Sequence, residues 1–529
     1  MRTIYRTPAL AVLALVPLWL AATAWMRPLM LPDEGRYVGV AWEMLRSGDW
    51  LTPTLNGLPF FHKPPLFYWI TAGSMTLLGP QQWAVRVAAI LGASLGAVAV
   101  YLFMQRWSGE RTARLTLVAL LVQPLFYLGG QFANLDMLVA GFVTATILLA
   151  AHATLLRDRQ LPYRKSLTAA YAMAALGVLA KGLIGAVLPA MVVAGWLLAL
   201  RRWRTLGSLL WWPGLLLFVA IAAPWFVAMQ VRFPDFLEYF FVVQHFKRFA
   251  ASGFNNVEPL WFYPVLLVLV FLPWLGWLWR SVRANGDPVR LLMWVWVLVV
   301  VAFFSLPQSK PVGYILPAVP PVAALVASGF LRQREPWLLD RRLWWGAAMI
   351  AIVLDVGTVV VLALRRPDST REVAWALRQK LAPGDTVFMA DKYLYDVPLY
   401  ARLAQPVRIV EDWEDPAIAL HDNERKELAD AGRFAPAIAA RLLVNPAAFP
   451  AALCESHISW VVGGASLVRP YPFLAAGSVE YANGDSTLWR IDVSTAALAD
   501  ALNCPAVTEA GPPATQIRSP PQGLSSPRA

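Results

Sequence analysis

The sequence predicts an all-α polytopic membrane domain of about 11 transmembrane helices at residues 1–364, then a small α/β domain at 365–504 and a Pro-rich, disordered tail at 505–529. Three observations lead there. Hydrophobic residues make up 58% of the chain and charged residues 15%, where soluble proteins run at about half and about a quarter. Apolar stretches of spanning length recur through the first 364 residues and then stop. Basic residues gather in every second loop between them. The 25 Trp and 25 Phe suit aromatic belts at membrane interfaces. This composition excludes a disordered chain, a disulfide scaffold and an ordinary cytosolic enzyme.

A spanning helix needs roughly 20 apolar residues. Eleven segments approach that length: 8–30, 82–104, 113–130, 135–155, 167–181, 184–200, 208–230, 259–279, 291–306, 313–331 and 343–364. The first has an alternative reading as a signal peptide, with Arg2 and Arg6 ahead of the apolar run and a small-residue site at Ala21-Ala22-Thr23-Ala24. Its length and the spans that follow favour a membrane helix. With the N-terminus in the cytoplasm, the inside loops hold 19 of the 29 basic residues of the first 364, as the positive-inside rule requires. Loops 31–81 and 231–258 then lie outside, and so does everything after residue 364. The net charge of +12 does not indicate nucleic acid. Residues 1–364 carry a balance of +15, placed in short loops, and residues 365–529 carry −3.

The outer domain reads as strand, helix and strand at Asp385–Ala390, Val397–Leu403 and Val407–Val410, with a further strand at Ile458–Gly464. Cys454 and Cys504 form a disulfide or remain two free thiols; an oxidising compartment permits the first.

Ionisable groups at membrane depth are costly and need a reason. Asp33, Glu34, Arg36, Lys63, Asp136, Lys181, Arg248 and Lys310 all map to the outer boundary. They suggest one polar cavity open to that side. Snorkelling accounts for Lys and Arg singly, and best for Lys181. It does not account for Asp. Asp33 is either the N-cap of a helix starting at Gly35 or a general base. Residues 36–47 place Tyr37, Val40, Ala41, Met44 and Leu45 on one face, as in an interfacial helix. Asn56-Gly57 is a turn signal. Lys63 precedes Pro64-Pro65, whose rigid backbone holds the ammonium where it can bind a phosphate. Asp136 is a helix cap or a cavity carboxylate. Arg248 sits among aromatics with a guanidinium suited to phosphate. Lys310 and Tyr314 can both point to a phosphate or its lipid. His62 and His245 are candidates to share a divalent metal, although two histidines are an incomplete ligand set.

There is no P-loop, GxSxG, HExxH or GxGxxG. An outward-facing enzyme has no nucleotide sugar at hand, so its donor must arrive activated through the membrane. A sugar on a polyprenyl phosphate meets that need. Apolar spans would hold the lipid, basic residues the phosphate and a carboxylate the acceptor.

Several motifs carry a resemblance. They are Asp33-Glu34-Gly35-Arg36-Tyr37, Ser47-Gly48-Asp49-Trp50, Leu55-Asn56-Gly57, His62-Lys63-Pro64-Pro65-Leu66-Phe67-Tyr68-Trp69, Asn134-Leu135-Asp136, Lys181-Gly182, Pro224-Trp225 and Ser309-Lys310-Pro311 with Gly313-Tyr314. Together they resemble the lipid-carrier-dependent glycosyltransferases of the GT-C type, which include aminoarabinose transferases and protein O-mannosyltransferases. The resemblance implies a multi-pass protein of the bacterial inner membrane with a periplasmic active site. It implies an undecaprenyl-phosphate-linked sugar donor and inversion at the anomeric carbon. The acceptor would be lipid A, receiving 4-amino-4-deoxy-L-arabinose, or else a protein or envelope glycan. Asp33 matches the family's base or acceptor-positioning residue, and Asp136 a second acidic residue. Lys63 and Arg248 match the phosphate holders, with Tyr314 a better helper than Lys310; Glu34, Arg36 and Tyr37 join as substrate contacts. His62 departs from the Glu that aminoarabinose transferases commonly carry before Lys-Pro-Pro. Two other classes compete. A flippase would show internal repeats and mid-membrane charges, and a scaffold would leave Asp33 and Lys63 unexplained.

Overall fold

A computed structural model describes residues 6–247, 256–282, 286–332, 338–365, 369–421 and 423–504. The tail at 505–529 and Arg248 therefore lie outside the described residues, and only the backbone of His245 is described.

The first part is helical and of membrane type. Among the described residues, six helices are long and apolar enough to cross a bilayer: Ala84–Ser108, Leu135–Asp158, Trp212–Arg232, Pro288–Ser305, Val312–Phe330 and Leu339–Arg365. Two bent pairs raise the number to eight if each is one span: Glu110–Leu121 with Pro124–Gly130 at 68°, and Phe262–Val270 with Leu272–Val282 at 69°. The sequence predicts continuous segments at both bends. Proline breaks them, because it lacks the N–H that the preceding turn needs. At the first bend Pro124 opens a new helix, capped by the Gln123 side chain. At the second, Pro273 sits in a 3-10 turn. The apolar helices Ala11–Ala21 and Ile184–Ala199 are shorter than a full span.

Leu135–Asp158 is the central helix, buried along most of its length. It crosses the Val87–Ser108 helix where Gly141 meets Gly92, and a Cβ on Gly92 would stand 2.8 Å from the Leu138 nitrogen. Such small-residue contacts let membrane helices approach closely.

The loop after the first helix builds a platform. Asp33–Ser47 is a helix whose buried side includes Val38, Val40, Ala41 and Met44. It ends at Gly48, left-handed with φ 71°. A short hairpin follows, β1 (Thr54–Leu55) and β2 (Leu58–Pro59). Asn56 and Gly57 turn it with φ of 52° and 75°. Positive φ at both central residues is why Asn-Gly is favoured here. The half-buried carboxylate of Glu43 accepts the N–H groups of Asn56 and Gly57, at 2.5 and 2.8 Å.

The second part holds a six-stranded sheet in the order β5-β4-β3-β6-β8-β7. Its strands are β3 (Thr386–Ala390), β4 (Arg408–Val410), β5 (Leu443–Val444), β6 (Ile458–Gly463), β7 (Ser478–Asn483) and β8 (Ser486–Asp492). The first four in that order run parallel, and β8 and β7 are antiparallel additions. The three strands read from sequence are present, and the helix read over 397–403 is shorter, Val397–Tyr400. Cys454 and Cys504 are joined in a disulfide, with Cα atoms 5.5 Å apart.

The two parts dock through polar contacts at the platform. The Asn56 amide donates to the Val407 carbonyl and accepts the Val407 N–H, each at 2.8 Å. Arg46 donates to the Leu403 carbonyl, and Tyr400 accepts the Leu29 N–H at 2.9 Å. The close approach requires Gly35, where a Cβ would sit 2.8 Å from that of Tyr395.

Candidate functional site

The adjacent carboxylates Asp33 and Glu34 have opposite fates, because consecutive helix residues point about 100° apart. Glu34 is fully buried. It pairs with Arg27 and with Arg86, whose Nε lies 2.9 Å from Oε1. It also accepts the N–H groups of Met30 at 2.9 Å and Ala133 at 2.8 Å. Burial alone would raise its pKa. The charges of Arg27 and Arg86, and their hydrogen bonds, outweigh that and lower it to about 2. Glu34 is thus corrected from a substrate contact to a knot tying the segment after the first helix, the platform, Arg86 and the turn before Asn134.

Asp33 points the other way, into a polar chamber. It is not an N-cap: the helix begins at Asp33 itself, after Pro32, and no side chain caps it. One turn on, Arg36 pairs with Asp33 and reaches Glu427 of the sheet-containing second part. The Tyr395 hydroxyl donates to the other oxygen of Glu427 at 2.8 Å. Burial works against the Arg36 charge, and Glu427 more than offsets this, so the guanidinium pKa stands above its usual value. Arg36 is held between two carboxylates, with Tyr37 beside it in the chamber wall.

Asp136 is not a cap either. Asn134 is the capping residue, its side chain accepting the Asp136 N–H at 3.0 Å. The Asp136 carboxylate is free to pair with Lys181. The Lys181 ammonium also lies 4.0 Å from the centroid of the Tyr314 ring. Lys181 is therefore part of the site, where the sequence favoured snorkelling. A Cβ at Gly313 would collide with the Asp136 carboxylate, so the glycine lets the Val312–Ala318 turn close over this pair.

Lys310 is corrected. Its ammonium is buried and donates to the carbonyls of Glu258 at 2.6 Å, Pro307 at 2.5 Å and Gln308 at 3.3 Å. It ties the segments around Glu258 and Pro307–Gln308 together and lines neither cavity described below. The cause is local: Val257 and Ser309 pair as a β-bridge, which turns the Lys310 side chain inward.

Two adjoining cavities meet at these residues. One, of about 590 Å³, is lined mainly by apolar groups such as Val139, Val143, Leu188, Phe303 and Phe304. The other, of about 460 Å³, is polar and holds Asp33, Arg36, Tyr37, His62, Tyr395, Glu424 and Glu427. Lys63, Asp136, Lys181, Ser309 and Tyr314 line both, so they form the shared wall. The prolines after Lys63 lead directly into the Leu66–Leu78 helix, which fixes the backbone that carries the ammonium. His62 is buried; Nε2 lies 3.1 Å from the Tyr239 hydroxyl and Nδ1 3.9 Å from Glu427. Among the described residues no three His, Cys, Asp or Glu side chains are grouped to hold a metal, so the metal pairing of His62 with His245 gains no third ligand there.

Sequence reasoning missed the share of the sheet-containing second part, namely Tyr395, Asn423, Glu424 and Glu427. The one local signal is the spacing of Glu424 and Glu427, three apart at the start of a helix and so on one face. Nothing local says that this face meets Arg36.

With this geometry in place, similarity to known proteins can be set beside it. Residues 62–227 match the family described as dolichyl-phosphate-mannose-protein mannosyltransferase. Undecaprenyl phosphate-alpha-4-amino-4-deoxy-L-arabinose arabinosyl transferase 1 of Sodalis glossinidius is 37% identical over 315 residues, 57% of this chain and 55% of that protein. The transferase of the same description from Pectobacterium carotovorum is 34% identical over 355 residues, 64% of this chain and 62% of that protein. The matches thus span less than two thirds of these relatives' own length. The crystal structure of ArnT from Cupriavidus metallidurans bound to undecaprenyl phosphate has a TM-score of 0.79 at 25% identity, covering 94% of this chain and 99% of that one. Its apo state gives 0.76 at 24% identity. In sequence over more than half its length, and in fold over nearly all of it, this multi-pass membrane chain resembles the GT-C glycosyltransferases of the ArnT type.

Proposed function

We propose that the chain is an integral inner-membrane glycosyltransferase that moves a sugar from undecaprenyl phosphate to an acceptor at the periplasmic face, with 4-amino-4-deoxy-L-arabinose and lipid A as the sugar and acceptor. The observation that carries this reading is the pair of joined cavities, one apolar and one polar, with two ammonium groups in the wall between them. A polyprenyl phosphate has the same division: an apolar tail, an anionic phosphate and a polar sugar beyond it.

The chemistry follows from the placement. The lipid lies in the apolar cavity and its phosphate meets Lys63 at the shared wall, with Arg248, outside the described residues, as the second holder. The sugar extends into the polar chamber toward Asp33. An acceptor oxygen attacks the anomeric carbon from the side opposite the phosphate, and the bond from that carbon to the phosphate oxygen breaks. Undecaprenyl phosphate leaves with the electron pair, its charge met by the ammonium. Where the acceptor oxygen carries a proton, the Asp33 carboxylate takes it. Lys181 and Tyr314 orient Asp136 against the donor.

The same reading sets the topology. Counting each bent pair as one span and adding Arg6–Ala21, Arg164–Lys181 and Ile184–Ala199 gives eleven. An odd number sets the two ends on opposite sides of the membrane; with the N-terminus in the cytoplasm, as the basic loops favour, the domain at 365–504 lies in the periplasm, after a membrane domain at 1–364. The family description matched at 62–227 names a protein acceptor, which makes protein the second acceptor to test. Undecaprenyl phosphate retained by the purified protein, read by native mass spectrometry, tests the lipid site. Lys63→Ala is expected to weaken retention at least about tenfold, the worth of one charge-assisted contact; undiminished retention contradicts the assignment.

A further inference from the structure

The outer domain lends the polar chamber a carboxylate that the reaction above does not use. Glu424 and Glu427 stand three residues apart in the Glu424–Gly432 helix and both line the chamber. Their roles differ. Glu427 holds Arg36 and accepts the Tyr395 hydroxyl. Glu424 has no ion pair among the described residues. The basic residues between them turn away: Arg425 bonds the Asp412 carbonyl at 2.6 Å and Asp415 at 3.2 Å, and Lys426 pairs with Asp430 at 3.0 Å.

The charges of the chamber sharpen the point. Arg36 is matched by Asp33 and Glu427, and Lys181 by Asp136. A donor phosphate against Lys63 adds negative charge to the same space. A chamber so arranged rejects an anionic sugar and tolerates a neutral one, and Glu424 supplies a place for a positive one. We propose that Glu424 is a specificity residue that binds an ammonium substituent on the transferred sugar. The inference rests on the glycosyltransferase reading and extends it, since the sugar between the phosphate wall and Asp33 occupies the chamber in every turnover.

The test uses the full-length protein in proteoliposomes with lipid A and two donors on undecaprenyl phosphate: the 4-amino pentose and its N-formyl derivative, which has the same ring but no charge. Wild type and Glu424→Gln are compared, with Glu424→Asp as the conservative variant and undecaprenyl phosphate retention as the folding control. For Glu424→Gln the donor KM for the amino sugar is expected to rise about tenfold or more, the usual worth of a bond to a charged group. The N-formyl donor should be unaffected, and Glu424→Asp should recover part of the loss. Equal KM values for wild type and Glu424→Gln on the amino donor would overturn the proposal. So would a change confined to the KM for lipid A, which would place the cation on the acceptor. If wild type transfers neither donor while retaining the lipid, the glycosyltransferase reading itself fails, and the role of Glu424 with it.

Discussion

Replacing Glu34 by Gln should cost the protein its stability before its chemistry. The carboxylate is fully buried and answers two guanidinium groups, Arg27 and Arg86, themselves buried. Its pKa falls from 4.5 to about 2, which corresponds to about 3 kcal/mol of interaction favouring the charged form in the folded state. Breaking a buried pair by removing one partner costs about 3 to 5 kcal/mol, because the remaining charge is left uncompensated. The two figures agree, and for a chain of 529 residues they correspond to a fall on the order of 3–5 °C in melting midpoint. The sign with pH is fixed: a depressed carboxylate pKa stabilises the fold above pH 4.5, and this contribution fades as the pH drops toward 2. Thermal unfolding in detergent at pH 7, followed by intrinsic fluorescence, reads the effect, with Asp33→Asn as the neighbouring control. Asp33→Asn should melt like wild type and lose transfer. If Glu34→Gln melts like wild type and transfer alone is lost, Glu34 is a substrate contact and the assignment of the two carboxylates is reversed.

Three further outcomes follow from the same structure. Asn56→Ala removes two buried hydrogen bonds to Val407, so the docking of the two parts should weaken by about 2 kcal/mol, read as faster proteolysis between them. Gly313→Ala drives a Cβ into the Asp136 carboxylate; transfer should fall at least about tenfold, a displacement effect, while lipid-free stability holds. Asp396 is buried, which raises its pKa to about 6 against Thr370 bonds that lower it. A raised carboxylate pKa favours the fold at low pH, and this contribution is lost as the pH climbs from 3.8 to about 6. Asp396→Asn should flatten that part of the stability profile, measured by thermal unfolding between pH 4 and 7.

Much of the membrane half is legible in the sequence because hydrophobic length and loop charge are local properties. The Asn56-Gly57 turn and the helix after Pro32 are equally local. The bends at Pro124 and Pro273 are visible as prolines, but apolar flanks on both sides hid the breaks in the helices. In the site, Asp33, Lys63, Asp136 and Tyr314 could be found because each interrupts apolar sequence at one boundary. Glu34 and Lys310 share that signature, yet both side chains turn inward, one to arginines and the other to carbonyls. Direction along a helix or loop is decided by tertiary packing. Glu427 was invisible for the complementary reason. It belongs to an ordinary soluble-looking helix, and its importance comes from an arginine 391 positions away in the chain.

The most direct measurement is mass spectrometry of lipid A from a deletion strain complemented with wild type or with Asp33→Asn. A pentosamine on lipid A that disappears on deletion and returns only with wild type is the predicted result. Lipid A and all envelope glycans unchanged by the deletion, in cells shown to express the protein, would contradict it.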